Sequence, residues 1–288
     1  MIIVTGATGQ LGRAIVEKLV ERIPATQVGA SVRDPQKAND LVALGVRVRR
    51  GDFAEPATLS HAFEGATQVL IVSSNAASYG GDPRAQHRSA IEAARAAGAG
   101  RIVYTSHMAA SSASAFPPML DHAATEEMLR QSGLAWTALR HGFSAESGIA
   151  FMGDALETGV LKAPADGKVS WTAHADLAEV DAIILADEGR YDGPTPPLTG
   201  SQSLDLADLA NIASELRAQP VHRQIFPDAD LRAQMVARGM PERYADVALG
   251  FYLASRYGEF TVVNPTLEQL LGRSVISMRD LIAKKAGS

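Results

Sequence analysis

The chain begins with Ile2-Ile3-Val4-Thr5, an apolar run of strand length, and continues directly into Gly6-Ala7-Thr8-Gly9-Gln10-Leu11-Gly12. The apolar residues Ile15, Leu19 and Val20 then recur at helical spacing. A glycine-rich turn between a strand and a helix allows a tight bend, a close backbone approach to a pyrophosphate, and close packing of helix on strand. The helix start adds free N–H groups that attract phosphate. The stretch predicts a dinucleotide-binding turn; a tight turn that binds nothing is the alternative.

Short apolar runs rich in Val, Ile and Thr alternate with helical segments through the first half of the chain. The runs lie at Ile2–Thr5, Val28–Val32, Val46–Val48, Val69–Val72, Ile102–Thr105 and Leu134–Leu139. Strands buried on both faces have continuous apolar runs of this kind, and parallel strands need crossover connections through helices. The sequence therefore predicts an α/β fold of the Rossmann type, in which helices cover both faces of a doubly wound parallel sheet.

The second half of the chain has a different character. Glycine and proline interrupt it often, and its helical segments occur in clusters with few strand-like runs between them. We place the change near residue 145, which predicts a nucleotide-binding domain over residues 1–145 and a smaller, mostly helical substrate-side lobe over residues 146–288. We leave open whether the helix predicted at residues 174–187 belongs to the lobe or packs back on the first domain.

Composition excludes several classes of function. The 288 residues carry a formal net charge of −5, so the chain has no general attraction for nucleic acid or anionic lipid. Cysteine is absent, which excludes disulfides, thiolate metal sites and a cysteine nucleophile. The seven histidines lack metal-ligand spacing, so no metal is expected. No leader pattern and no run of about 20 apolar residues is present, so we expect a cytoplasmic protein that does not enter the membrane.

The second predicted strand ends in Ala30-Ser31-Val32-Arg33-Asp34. Dinucleotide folds place the residue that distinguishes the two nicotinamide cofactors about 20 residues after the glycine turn. An arginine there accommodates the 2′-phosphate of NADP, and an acid binds the ribose of NAD. Because Arg33 comes first, we expect NADP(H), with Arg33 pairing the phosphate and Lys37 placed to assist. The alternative is that Arg33 is a solvated charge and Asp34 binds the ribose of NAD.

Taken together, these motifs resemble the NmrA-like group of atypical short-chain dehydrogenase/reductases, and within it the subgroup of quinone oxidoreductase 2 and triphenylmethane reductase. The resemblance covers nearly the whole chain. The stretches that carry it, besides the glycine turn, are Val32–Ala38, Gln86–Arg88, Tyr104–Ser106, His122–Glu126, Leu139–Gly142, Thr266-Leu267 and Leu271–Arg273.

The resemblance implies further cofactor contacts at the carboxyl ends of the predicted strands. It places Asp52 and Phe53 beside the adenine, and Ser73, Ser74 and Asn75 along the ribose and nicotinamide. It also places Thr105 and Ser106 at the end of the fifth strand. Open α/β sheets bind ligands at this edge. The alternatives are that Asp52 is a turn acid and that Ser73–Asn75 caps the next element.

The resemblance also directs attention to a departure in the catalytic region. Typical short-chain dehydrogenases carry a Tyr-x-x-x-Lys pair, whereas the corresponding helix here has His122 and then Glu126. A carboxylate cannot replace lysine in lowering the pKa of a tyrosine. Reduction of a quinone or dye needs less from the protein, because the acceptor is already electrophilic. The proton then comes from solvent, His107 or His122, since histidine ordinarily titrates near neutral pH; a structural role for His122 is the alternative.

Two aromatic residues are candidates for the acceptor pocket. Phe116 lies in a loop after the fifth predicted strand, and Phe143 follows the sixth. Aromatic rings suit flat acceptors, although Phe143 can equally be an ordinary core residue.

We therefore expect an oxidoreductase that transfers a hydride from NADPH to a quinone or similar conjugated acceptor. The alternative from a different class is a non-catalytic redox sensor that binds NADP(H) and reports to a partner protein. Isomerase chemistry is a weaker possibility, because such enzymes usually retain the catalytic tyrosine. A homodimer is left open.

Overall fold

The predicted parallel sheet is confirmed, and its strands follow the predicted runs closely. The computed structural model describes residues 1–287, and its strands are β1 (Ile2–Thr5), β2 (Val28–Val32), β3 (Arg47–Arg50), β4 (Gln68–Ile71), β5 (Arg101–His107), β6 (Ala135–His141), β7 (Phe143–Ser144), β8 (Val160–Ala163), β9 (Trp171–Thr172), β10 (Gly193–Pro194) and β11 (His222–Ile225). Seven of them form one sheet in the order β10-β6-β5-β4-β1-β2-β3, and all neighbouring pairs are parallel. The strand order reverses between β1 and β4, where open α/β sheets bind ligands.

Helices connect the strands and cover the sheet. They are α1 (Gln10–Val20), α2 (Asn39–Ala43), α3 (Ala57–Ala62), α4 (Pro83–Ala96), α5 (Pro117–Gln131), α6 (Ala145–Phe151), α7 (Ala155–Thr158), α8 (His174–Ala186), α9 (Leu206–Arg217), α10 (Asp228–Ala237), α11 (Glu242–Arg256), α12 (Thr266–Leu271) and α13 (Met278–Ala286). Short 3-10 segments lie at Ala25–Gln27, Pro35–Ala38 and Ala76–Tyr79. None of the helices over residues 1–287 has the length and apolar character that crossing a membrane requires.

Two layers of helices lie on the sheet because successive strand residues point to opposite faces. Helices α1 and α8 pack against each other on one face. On the other face, α3, α4 and the end of α5 bury a shared apolar cluster against alternate strand residues, which include Ile3, Val69, Ile71, Ile102 and Tyr104. This doubly wound arrangement explains why the strand sequences are apolar at consecutive positions rather than alternating.

The glycine turn brings the start of α1 into van der Waals contact with the end of β1. Gly6 has φ +60°, a left-handed conformation that favours glycine. A Cβ at Gly12 would lie 2.5 Å from the carbonyl oxygen of Gly6 and 3.2 Å from the Cα of Ala7. These are backbone atoms and cannot move aside, so only glycine at position 12 permits α1 to pack this closely on β1.

Two compact units divide the chain, and each contains several separate stretches. The first unit is Met1–His107, Asp121–His141 and His174–Pro196, and it holds the seven-stranded sheet with α8. The second is Met108–Leu120, Gly142–Ala173 and the chain from Pro197 onward. The division into a nucleotide-binding domain over residues 1–145 and a substrate-side lobe over residues 146–288 stays a prediction.

The second unit has its own apolar core, in which aromatic rings meet. Phe143, Trp171, Phe251 and Phe260 contact one another with ring centroids between 4.9 and 6.1 Å apart in the recorded pairs. Two small parallel sheets, β7 with β9 and β8 with β11, lie in this unit. Gly193 and Pro194, in the half of the chain that glycine and proline interrupt often, form the edge strand β10 of the first unit, where proline is tolerated.

We expect Gly12→Ala to lower the free energy of unfolding by at least about 2 kcal/mol, because the added methyl overlaps backbone atoms of the turn. Gly100→Ala is the matched control, since a Cβ there would lie 3.7 Å from its nearest neighbour, the carbonyl oxygen of Thr67. Urea unfolding followed by circular dichroism measures both. Equal stability of the two variants would contradict the packing argument.

Candidate functional site

The start of α1 has the features of a phosphate-binding helix terminus. Gly9 is the N-cap residue, no side chain caps the helix, and no acidic residue lies in its first turn. The first N–H groups of a helix have no partner within the helix, and they carry its positive dipole end. A Cβ at Gly9 would lie 3.3 Å from the Gly6 carbonyl oxygen, so glycine keeps this surface open to a close ligand. The residues present therefore fit a pyrophosphate.

Arg33 follows β2 with its side chain exposed to solvent, and none of the ion pairs within residues 1–287 involves it. Asp34, the competing candidate for a ribose contact, instead accepts a hydrogen bond from the backbone N–H of Gln36 at 3.1 Å. Its carboxylate thus caps the 3-10 segment Pro35–Ala38. Arg13 of α1 reaches the same region, where it contacts Asp40 and donates to the Lys37 carbonyl at 3.2 Å. Sequence reasoning missed Arg13.

Asp52 and Phe53, expected beside the adenine, lie in a turn after β3. The Asp52 carboxylate accepts the backbone N–H of Ala54 at 2.9 Å, and its own N–H donates to the Thr58 hydroxyl at 2.8 Å. These bonds are those of a turn acid, the alternative weighed for this residue. Phe53 is half-buried and packs against the core cluster of the sheet. A contact of either residue with adenine stays a prediction.

The segment after β4 lies directly against the glycine turn, since a Cβ at Gly6 would be 3.6 Å from the Cβ of Val72. The hydroxyl of Ser74 donates to Gln86 and accepts the N–H of Ala76. In the described chain the side chains of Ser73 and Asn75 make no hydrogen bond to protein. Of the three expected cofactor residues, Ser73 and Asn75 therefore offer free side chains at this edge, whereas that of Ser74 is engaged.

Thr105 and Ser106, at the end of β5, also have engaged hydroxyls. Thr105 accepts the backbone N–H of Ser73 at 2.8 Å. Ser106 donates at 2.6 Å to Glu126, which lies in α5 and is buried. Arg140 of β6 holds the same carboxylate at 2.7 Å and 3.1 Å, and this contact raises the pKa of the guanidinium. Glu126 is thus a buried ion-pair partner of Arg140.

The two histidines expected to supply a proton lie close together. The ring centroids of His107, at the end of β5, and His122, in α5, are 6.1 Å apart. Nδ1 of His122 is hydrogen-bonded to the Tyr104 hydroxyl at 2.8 Å. Burial lowers the pKa of His107 to about 3 and holds that of His122 well below its ordinary value, with neighbouring histidines adding to the effect. Desolvation thus disfavours the charged form of both rings, and a proton-transfer role for either histidine stays a prediction.

A third buried imidazole lies beside them and has a carboxylate partner. His141 ends β6 directly across from His107 in the register of β5 and β6. Its Nε2 is 2.9 Å from Asp181 of α8, and both side chains are buried. Burial raises the pKa of the Asp181 carboxyl, against the attraction of His141. Sequence reasoning missed this pair, because the two residues belong to separate elements and neither has a recognisable motif.

Phe116 and Phe143, the expected acceptor-pocket residues, both belong to the second unit. Both are half-buried, and their ring centroids are 5.9 Å apart. Each also contacts Phe251 and Phe260 in the aromatic core. The segment before Phe116 is held by the Glu259 carboxylate, which accepts the N–H of Ala115 at 2.9 Å. Contact of these rings with an acceptor stays a prediction.

No group of three or more histidine and carboxylate side chains in residues 1–287 is arranged to hold a metal ion.

Tyr104 is another residue that the sequence did not single out as functional. Burial raises the pKa of its hydroxyl far above the ordinary value, so it stays protonated. The stretch Tyr104–Ser106 carries part of the family resemblance, but its sequence does not reveal the hydrogen bond to His122.

Comparison with known proteins supports the motif-based resemblance. A family model described as NAD(P)H-binding matches residues 6–188. Quinone oxidoreductase 2 of Escherichia coli (strain K12) is 34% identical over 284 residues, which cover 98% of each chain. The crystal structure of the NADPH-dependent quinone oxidoreductase from Escherichia coli, complexed with NADPH, has a TM-score of 0.91 at 34% identity and covers 99% of both chains.

Triphenylmethane reductase of Citrobacter sp., solved in complex with NADP(H), gives a TM-score of 0.86 at 30% identity and covers 99% of this chain and 100% of that one. Similarity over whole chains at this level, together with the glycine turn and the switch point of the sheet, confirms the resemblance. The chain belongs to the NAD(P)H-binding NmrA-like family, in the subgroup that contains quinone oxidoreductase 2 and triphenylmethane reductase.

Proposed function

We propose that this chain is an NADPH-dependent oxidoreductase that reduces a quinone or a similar conjugated acceptor. The observation that carries the proposal is the uncapped start of α1 beside the glycine turn, with the exposed Arg33 at the end of the adjacent strand β2. The names of the relatives, a quinone oxidoreductase, an NAD(P)H azoreductase and a triphenylmethane reductase, support reduction of flat conjugated molecules.

The proposed cofactor contacts follow from which groups the fold leaves available. The first backbone N–H groups of α1, those of Gln10, Leu11 and Gly12, hold the pyrophosphate, and Gly9 keeps the approach to them open because it has no side chain. Arg33 pairs with the 2′-phosphate, since it has no internal partner while Asp34 is used as a cap. Ser73 and Asn75 face the ribose and nicotinamide. Thr105 and Ser106 support this edge through their own bonds to Ser73 and Glu126.

NADPH, when bound, would supply the hydride and be left as NADP⁺; a quinone would take up that hydride and one proton to become the hydroquinone, whereas a cationic dye would need the hydride alone. The chain's role is to orient the acceptor and exclude water. No tyrosine in the sequence is followed four residues later by lysine. Tyr104 is buried and stays protonated, so we expect no tyrosinate step. The neutral ring of His122 positions the acceptor by hydrogen bonding, and solvent supplies the proton.

Phe116 and Phe143 are proposed to contact the ring system of the acceptor. A homodimer and a location in the cytoplasm are both compatible with the proposal.

We expect purified protein to oxidise NADPH in the presence of benzoquinones, naphthoquinones or a triphenylmethane dye, as measured by loss of NADPH absorbance. In Arg33→Glu, binding of NADPH weakens by about 10- to 100-fold, because a charge-assisted pair becomes a repulsion. Binding of NADH, which lacks the 2′-phosphate, changes little.

The matched control is Arg95→Glu, which makes the same charge change at another exposed position, on α4. It is expected to behave as the wild type. Tight NADPH binding without turnover on any acceptor would overturn the enzymatic proposal and favour the sensor. Equal NADPH binding by Arg33→Glu and wild type would overturn the assignment of Arg33.

We expect kcat at saturating NADPH and acceptor to vary by less than about twofold between about pH 6 and pH 8. The pKa values of His107 and His122 lie below this range, so neither ring changes charge within it. Steady-state rates in overlapping buffers measure the profile. A titration near pH 6.5 that disappears in His122→Gln would show instead that a protonated His122 takes part.

A further inference from the structure

Three consecutive backbone amides after β4 are each held by a side chain from a different element. The N–H of Val72 donates to the Thr5 hydroxyl of β1 at 3.0 Å. The N–H of Ser73 donates to the Thr105 hydroxyl of β5 at 2.8 Å. The N–H of Ser74 donates to Nε2 of His87 in α4, also at 2.8 Å. Neighbouring elements thus set the course of the segment beside the glycine turn.

The hydrogen bonds around His87 determine its tautomer. Nε2 accepts the N–H of Ser74, so the proton of the neutral ring is on Nδ1. Nδ1 is 2.8 Å from the hydroxyl of Thr125, which itself donates to the Asp121 carbonyl at 2.8 Å. Thr125 can therefore only accept from the ring. Both ring nitrogens have one role each, and neither is available to a ligand.

The surroundings of His87 keep the ring neutral and immobile. Its side chain is buried, and the edge of the Tyr104 ring meets it with centroids 5.1 Å apart. Burial lowers the pKa of the imidazole to about 4, against the attraction of Asp82. At neutral pH the ring is therefore an uncharged acceptor for Ser74. The preceding residue, Gln86, accepts from the Ser74 hydroxyl, so α4 holds Ser74 at two atoms.

We infer that His87 is a positioning residue that holds the segment Ser73–Asn75 in the conformation that binds the dinucleotide. The inference rests on the proposed function, because it needs a cofactor at this edge of the sheet. It acts through the main chain: with Ser74 held by α4, the free side chains of Ser73 and Asn75 are kept next to the glycine turn. Preorganisation of this kind favours binding, since no ordering of the segment is needed when the ligand arrives.

Two variants separate the acceptor at Nε2 from the rest of the side chain. In His87→Gln, the amide oxygen can reach the position of Nε2 and accept the N–H of Ser74. In His87→Asn, the shorter amide reaches only the position of Nδ1, which leaves the partly buried N–H of Ser74 without its acceptor. Both variants replace the ring by an amide, so their losses of ring packing are similar. His61→Asn, at an exposed position on α3, is the control for the substitution itself.

The experiment is a fluorescence titration with NADPH, which needs no acceptor. We expect the Kd to rise by about tenfold in His87→Asn and to stay within about threefold of wild type in His87→Gln. Hydrogen–deuterium exchange of the peptide over residues 72–76, without ligand, is expected to be faster in His87→Asn only. Melting temperatures of the two variants check that a general loss of folding is not the cause.

Equal Kd values for wild type and His87→Asn would overturn the inference, and so would a His87→Gln variant as weak as His87→Asn. If wild-type protein bound no NADPH, the proposed function would fail and the inference with it. If the wild type bound NADPH and both His87 variants had the same Kd as the wild type, only the role of His87 would be overturned.

Discussion

The contact between the start of α1 and the end of β1 is the constraint on which the nucleotide site depends. A Cβ at Gly12 would lie 2.5 Å from the Gly6 carbonyl oxygen, so the helix can approach only because position 12 has no side chain. That approach directs the unpaired N–H groups of α1 toward the switch point between β1 and β4. The same turn touches Val72, which couples it to the segment after β4.

Burial has the largest effect on the chemistry at the carboxyl edge of the sheet. His87 and His122 contact the Tyr104 ring, and His107 lies next to His122. Desolvation lowers the pKa of all three imidazoles. Neutral imidazoles act as hydrogen-bond donors and acceptors of fixed direction rather than as proton sources. We therefore propose that these histidines position other groups, and the proposed reaction needs no charged acid from the protein.

The polar side chains at this edge divide into those hydrogen-bonded within the protein and those that make no hydrogen bond to it. Thr105, Ser106 and Ser74 are bonded to the protein, while Ser73 and Asn75 have free side chains. The resemblance places all five residues along the cofactor, and their contact with it stays a prediction. The sequence did not reveal their hydrogen-bond partners, because those depend on which distant segments pack together. The ion pair of Glu126 with Arg140 was hidden for the same reason.

The sequence by itself determined the strand–helix alternation, the parallel doubly wound sheet and the position of the glycine turn. These features depend on local periodicity and on steric needs that the residues themselves express. Only the tertiary structure decided that His87 hydrogen-bonds to Ser74, 13 residues away in sequence, and that His141 hydrogen-bonds to Asp181, 40 residues away. It also decided that each of the two compact units is built from several separate stretches of the chain. The physical reason is that burial, and with it each pKa and each hydrogen-bond partner, depends on which distant segments the packing brings together.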